Sequence, residues 1–395
     1  MRILCITPWF PRHRQDQRGN FILDSIESLI DLGHEVTVLI TQPWRPRVAG
    51  LISKDWVRKK TYKEQFSSKI SVYYCYHLSI PRSCFCSFSH WLYRKKVNPI
   101  LEKLALQYNC QLIHAHTELA GVSAVDVGSK LGLPTVISLH GISTEKKLYL
   151  GNTKKLLFEY TLSGASRVVL VGNPLVSFAK KFIKDHGHFR IVHNGFRASL
   201  TNVLGARRSW SDKYLRFISV SNLLEGKGVD LNLYALAKLK EMGFSDWIYN
   251  IVGDGAERKK LEELVSVLKL NRHVIFLGAC DHNEVYEHLS QADIFTLPSY
   301  REAFGVAYLE AMSCGLLTIG IEGQGPQEYI EHEKTGLLVP PRDITSLAIY
   351  FKSIFESPEK MHKIAEAGKE YVHAHFTWCC HARRLVKIYN ELVSE

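Results

Sequence analysis

An α/β fold of two doubly wound domains is the architecture this sequence predicts, and three observations predict it. Apolar runs of strand length alternate with helical patterns along the whole chain. A segment of charged and small residues over 197–212 interrupts the alternation once. The net charge changes sign around that segment, residues 1–208 summing to +17 and residues 209–395 to −6 within the overall +11. Strands alternating with helices at this spacing build parallel sheets covered on both faces. A chain of 395 residues with 46% apolar side chains is long enough to give each series its own core.

In the first series the expected strands lie at 2–7, 35–40, 70–76, 112–115, 135–139, 168–171 and 191–193. An amphipathic helix is expected over 21–32 and another helix over 90–108. In the second series strands are expected at 215–220, 248–252, 274–277, 294–297 and 316–319, and the end is helical from 344 to 392. The expected domains are therefore 1–200 and 210–376, with a C-terminal helix at about 377–395 packing back on the first.

Several other classes of protein fit poorly. The apolar run before Pro8 and Pro11 is too short for a secretory signal. The window 303–321 is nearly uncharged and long enough to suggest a membrane span. It holds Glu310 near its centre and Gly305, Gly315 and Gly320, so it reads as buried helix, turn and buried strand. Nine cysteines, an odd number with no C-x-x-C pair, suit free thiols in a reducing cytosol. The run from His373 to His381 is rich in metal-ligand residue types, but its spacing matches no structural zinc pattern and no metal is expected there.

The positive charge of the first half clusters over 54–63, with Trp56 and Tyr62, and around Trp91, Arg94, Lys95 and Lys96. Aromatic rings beside cations suit a membrane interface or an anionic acceptor, and equally a plain solvated face. No nucleic-acid-binding motif accompanies them, so nucleic acid is not an expected partner.

Chemistry concentrates in the stretch 298–312. A short apolar run, a polar turn and a helix starting near Gly305 aim unsatisfied amides beyond a strand end, which favours an anion. Glu302 in the turn and Glu310 inside the helix lie eight positions apart, too far to share a proton. Carboxylates so placed accept hydrogen bonds from the hydroxyls of sugars and riboses. The plainer alternative is a capping Glu302 and a solvated Glu310. In open sheets ligands bind beyond the carboxyl ends of the strands. Gly19 and Asn20, His140 and Gly141, the run 222–228, and Gly253 with Asp254 and Gly255 all fall at such ends.

Taken together, the run 221–228 with Lys227, the turn at Gly253 and Gly255, the run 272–278, Pro298 with Ser299, Glu302 through Glu310, Cys314 with Gly315, and 335–339 resemble the donor domain of glycosyltransferase family 4. That family comprises retaining enzymes of the GT-B architecture, with two Rossmann-like domains facing each other across a cleft. The first half is similar more loosely, through 32–38, His114 and His116, His140 with Gly141, and Asn194 with Gly195.

The resemblance implies transfer of a sugar from a nucleotide-diphosphate donor, of UDP or GDP type, to an acceptor hydroxyl. It implies that Glu310 binds the ribose, that Glu302 and the backbone of Phe304 and Gly305 hold the transferred sugar and its phosphate, and that Lys227 neutralises the diphosphate. His140 matches a histidine facing sugar and acceptor. Asn222, Gly253 and Gly19 fall among the donor-binding positions. Family members usually carry Arg where Asn222 stands, which leaves more of the charge stabilisation to Lys227 and the helix start, with the basic loop at Arg12, Arg14 and Arg18 as a further source of cations.

No cofactor and no obligatory metal are implied. The setting implied is polysaccharide or glycolipid assembly by a cytoplasmic enzyme working on a carbohydrate or lipid-linked acceptor. A peripheral contact of the basic first domain with the inner face of a membrane would suit that work. The alternatives that share a nucleotide site are a sugar-nucleotide epimerase or hydrolase and a non-catalytic sugar-nucleotide-binding protein. A nicotinamide-dependent dehydrogenase would need a glycine-rich turn straight after the first strand, where Pro8, Trp9 and Pro11 stand instead.

Overall fold

A computed structural model describes residues 1–11, 18–44, 62–67, 70–78, 86–141, 152–203 and 214–394. The chain divides into two compact units, the first comprising Met1–His193 with His381–Glu395 and the second Asn194–Cys380.

The first unit is built on β1 (Arg2–Thr7), α1 (Asn20–Asp31), β2 (Glu35–Trp44), β3 (Tyr62–Ser67), β4 (Ile70–Leu78), α2 (Cys86–Gln107), β5 (Leu112–His116), α3 (Glu118–Leu131), β6 (Thr135–Leu139), α4 (Asn152–Gly164), β7 (Arg167–Leu170), α5 (Asn173–Ala179) and β8 (Phe189–Ile191). The sheet runs β3-β4-β2-β1-β5-β6-β7-β8. β1, β5 and β6 are buried almost throughout, as strands of a parallel sheet are when both faces are covered. The expectation of a wholly parallel sheet is corrected at one edge, where β3 pairs antiparallel with β4. Its sequence, YKEQFS, has only Tyr62 and Phe66 apolar, so no strand signal marks it.

The second unit follows with α6 (Ala198–Val203), β9 (Leu215–Val220), α7 (Val229–Glu241), β10 (Trp247–Val252), α8 (Arg258–Val267), β11 (Val274–Gly278), α9 (His282–Ser290), β12 (Ile294–Thr296), α10 (Val306–Ser313), β13 (Leu317–Ile321), β14 (Leu337–Val339), α11 (Ile344–Glu356) and α12 (Pro358–His375). Its sheet, β11-β10-β9-β12-β13-β14, is parallel throughout. Strand β14 has no counterpart among the sequence expectations, and at three residues it is too short to show a period. The helical end is divided into three helices. Pro358 starts α12 where α11 stops, and the chain breaks again at Phe376 before α13 (Trp378–Ser394).

Helix α13 belongs to the first unit from His381 onward. Its Ala382, Leu385, Ile388 and Tyr389 are buried in the same cluster as Ile3, Cys5, Ile22 and Ile26. The apolar window 303–321 resolves into α10, a turn at Gly315 and the buried strand β13. Among the described residues no helix is long and apolar enough to cross a membrane. Cys5, Cys75, Cys110, Cys280, Cys314, Cys379 and Cys380 are free thiols.

Candidate active site

In the second unit the parallel strands bring the loops after β9, β10, β11, β12 and β13 to one edge of the sheet, and two of them are locked together. The loop after β9 carries Lys227, and the turn after β12 carries Glu302. The Gly226 carbonyl accepts from Tyr300 N–H at 3.0 Å and from the Ser299 hydroxyl at 3.2 Å. Gly228 lies so close to Pro298 that a Cβ there would stand 2.2 Å from its carbonyl oxygen, and its φ of +76° adds a second reason for glycine. This packing delivers Lys227 Nζ to Glu302 Oε2 at 2.8 Å, with both side chains largely shielded from water.

The turn itself is braced from behind. Glu302 N–H donates to Gln324 Oε1 at 3.1 Å, its carbonyl accepts from Gly325 N–H at 3.0 Å, and the Tyr329 hydroxyl, at 2.8 Å from each, serves the carbonyls of Phe304 and Gly305. The Tyr308 hydroxyl donates to the Leu297 carbonyl. With the carbonyls of 304 and 305 taken, what α10 presents at its start is N–H groups, and helix starts favour anions.

Glu310, one face further into α10, is buried, and His282 Nε2 donates to its Oε1 at 2.6 Å. His282 opens α9, whose start is fixed by a reciprocal capping box between Asp281 and Glu284. The plainer reading, a solvated Glu310 and a capping Glu302, is corrected by these contacts.

Asn222 is exposed, beside this loop, with no charge to offer. Gly253 has a packing reason to be glycine, because a Cβ would stand 1.8 Å from the Ser221 carbonyl oxygen, and its N–H already donates to Gly278 at 2.6 Å. Arg12 and Arg14 lie outside the described residues, as does the basic cluster at 54–60.

In the first unit His140 follows β6, and the geometry around it is a chain of imidazoles. His116 Nδ1 and His140 Nε2 lie 2.9 Å apart with the rings stacked, sharing one proton between them. His114 bonds Ser138 through Nε2 and the Tyr389 hydroxyl of α13 through Nδ1, each at 2.7 Å. His381 bonds Ser25 at 2.9 Å and the His193 carbonyl at 2.7 Å. Phe21 packs on the His140 ring at 4.6 Å. Burial holds these imidazoles neutral. It lowers His114 and His140 to about 3 and His381 to about 4, and takes His116 well below its ordinary value, with the neighbouring histidines adding to the effect. Gly19 caps α1 and lies against the Trp9 carbonyl, where a Cβ would stand 2.7 Å from carbon and oxygen alike.

Sequence reasoning missed His282, His116, Gln324 and Tyr329 as site residues. The capping pair Asp281 and Glu284 marks the start of a helix in the sequence, but nothing there says that His282 meets a carboxylate 28 positions later. His116 lies on a strand whose pattern cannot reveal its neighbour His140 just past the end of β6.

Two family models match the chain. Residues 19–200 match Glycosyltransferase Family 4, and residues 206–371 match Glycosyl transferases group 1. The phosphatidylinositol N-acetylglucosaminyltransferase gpi3 subunit of Schizosaccharomyces pombe is 27% identical over 380 residues, covering 93% of this chain and 76% of that one. Among solved structures, sucrose-phosphate synthase from Thermosynechococcus elongatus aligns with a TM-score of 0.79 at 20% identity over 100% of both chains. Anabaena HepE in complex with UDP aligns at 0.73 and 19% identity, covering 99% of this chain and 100% of that one. These structural likenesses establish the fold.

Proposed function

This chain belongs to glycosyltransferase family 4, and from that premise we propose that it moves a sugar from a nucleotide-diphosphate donor to an acceptor hydroxyl with retention at the anomeric carbon. The fold is GT-B and the protein is a glycosyltransferase; donor class and stereochemistry are our reading of the site. The observation that carries it is the braced pair of Lys227 and Glu302, which stands beside the start of α10 with Glu310 on the same helix.

In this reading the first amides of α10 and Lys227 take the diphosphate, whose negative charge grows as the bond to the sugar breaks. A helix start is worth roughly 0.3–2 kcal/mol to an anion, and Lys227 supplies the full charge that Asn222 does not. Glu302, released from Lys227 by the incoming phosphate, accepts hydroxyls of the sugar. Glu310, held through one oxygen by His282, offers the other to the ribose. The bond from anomeric carbon to phosphate oxygen breaks, the acceptor oxygen bonds that carbon on the same face, and the acceptor proton goes to the departing phosphate. No protein base or resident metal is assigned a step. His140, neutral in its imidazole stack, is assigned to the acceptor side. The site is read as working at the cytoplasmic side of a membrane, in polysaccharide or glycolipid assembly.

The test is a screen of UDP- and GDP-sugars for thermal stabilisation, followed by product analysis with the best donor. Retention predicts the donor's own anomeric configuration in the product. An inverted product would refute the mechanism, and free sugar formed at the same rate with and without acceptor would favour a hydrolase.

A further inference from the structure

One face of the first unit gathers exposed aromatic and basic side chains from two helices. On α2, Phe88 and Trp91 are each 50% exposed and stack on one another at 5.6 Å, with planes 16° apart. Lys95, one turn on, sits over the Trp91 ring at 5.1 Å. On α4, Leu156 is 63% exposed and Tyr160 41%. The two helices flank one groove of about 640 Å³, lined by Trp91, Lys95, Thr153 and Leu157 among others, and Arg94 of α2 reaches the Tyr160 ring at 5.7 Å. Large apolar side chains this exposed and this close together mark an interaction surface more often than chance.

The charges choose the partner. The two acids that line the groove are already answered, Asp126 by Arg94 at 2.5 Å and Glu102 by Lys130 at 2.6 Å, and on α4 Glu159 is paired with Lys155 at 3.8 Å. Lys95, Lys96 and Lys154 have no acidic partner among the described residues, so the face carries surplus positive charge beside its aromatic rings. Topology supplies the position. Helix α2 follows β4 and α4 follows β6 in a parallel series, so the first halves of both helices lie at the carboxyl edge of the sheet, the edge that also bears His140.

We propose that this face docks on an anionic lipid surface. Phe88, Trp91, Leu156 and Tyr160 enter the headgroup boundary, and Lys95, Lys96 and Lys154 meet the lipid phosphates. A membrane-borne acceptor would then reach the edge of the sheet that carries His140. The contact itself does not depend on the transferase reading, which gives only its purpose.

The experiment uses the full chain with sedimented vesicles of phosphatidylcholine alone or mixed with phosphatidylglycerol. The chain should bind the mixed vesicles and lose them as salt is raised. The double variants Phe88→Ser with Trp91→Ser, and Lys95→Glu with Lys96→Glu, should each weaken binding about tenfold or more, since each lysine near such a surface is worth about 1 kcal/mol. Their melting temperatures and nucleotide-sugar binding should stay those of the wild type, which separates loss of docking from misfolding or a damaged donor site. Equal binding to both kinds of vesicle, or equal binding by all variants, would overturn the proposal. So would concentration-dependent self-association that the aromatic substitutions abolish without any vesicle binding, because the face would then be a contact between protein molecules.

Discussion

The carboxyl edges of the two sheets solve opposite electrostatic problems on the same topology. At the edge of the second unit, carboxylates stand against groups that answer them, Glu302 against the Lys227 ammonium and Glu310 against the His282 ring nitrogen. At the edge of the first, His114, His116, His140 and His381 are buried and kept neutral. On the proposed function the difference has a purpose: an anionic donor needs charges already in position, whereas a hydroxyl acceptor needs hydrogen bonds without a cation that would drain its nucleophilicity. The difference teaches that a doubly wound sheet fixes where a site lies and leaves its charge to the loops.

The comparison can be broken most sharply at Glu302. Glu302→Gln keeps the size of the side chain and removes its charge; transfer should fall by about 100-fold or more while the donor still binds. Initial rates and donor titration of the purified variant decide this, and near-wild-type turnover would remove Glu302 from the reaction.

Acid tests the neutral edge. His114, His140 and His381 bind a proton in the unfolded chain below about pH 6.5 and resist it in the native one down to about 3 to 4. The unfolded state therefore holds more protons in that window, and stability present above pH 6.5 is lost as pH falls through it. Each such histidine should cost on the order of 2 kcal/mol between pH 6.5 and 5. Denaturant melts across that range should show the loss, and His381→Gln should flatten the slope; a flat profile in the wild type would show the imidazoles to be protonated in place.

The close approach of the two loops in the second unit makes a prediction of similar size. Gly228→Ala puts a Cβ against the Pro298 carbonyl in a left-handed conformation and should destabilise the fold by about 1–3 kcal/mol, read from urea melts.

His282 offers the finest discrimination. His282→Ala should raise donor KM several-fold, by roughly 1 kcal/mol, with kcat little changed. It should also shrink the preference for ribo- over 2′-deoxyribonucleotide donors, and His282→Gln should restore part of it. A fall in kcat alone would place His282 elsewhere in the mechanism.

Much of this was legible in the residues. Strands β1, β5, β6, β9 and β12 announce themselves as runs dominated by apolar residues, which is what a strand covered on both faces favours. Glu302 and Glu310 were visible through their spacing and the glycine before their helix. Strand β3 was not, because an edge strand makes its bonds through backbone that any polar residue supplies. Strand β14 was too short to carry a pattern.

By itself the sequence determined the two alternating series, the break between them and the placing of one carboxylate in a turn and another in the helix that follows it, because these follow from period and local chain geometry. Only the tertiary structure decided which groups meet. It put His282 on Glu310, Lys227 on Glu302, His116 on His140 and Tyr389 of the last helix on His114. Contacts between residues 24 to 275 positions apart depend on the packing of whole elements, which leaves no periodic trace along the chain.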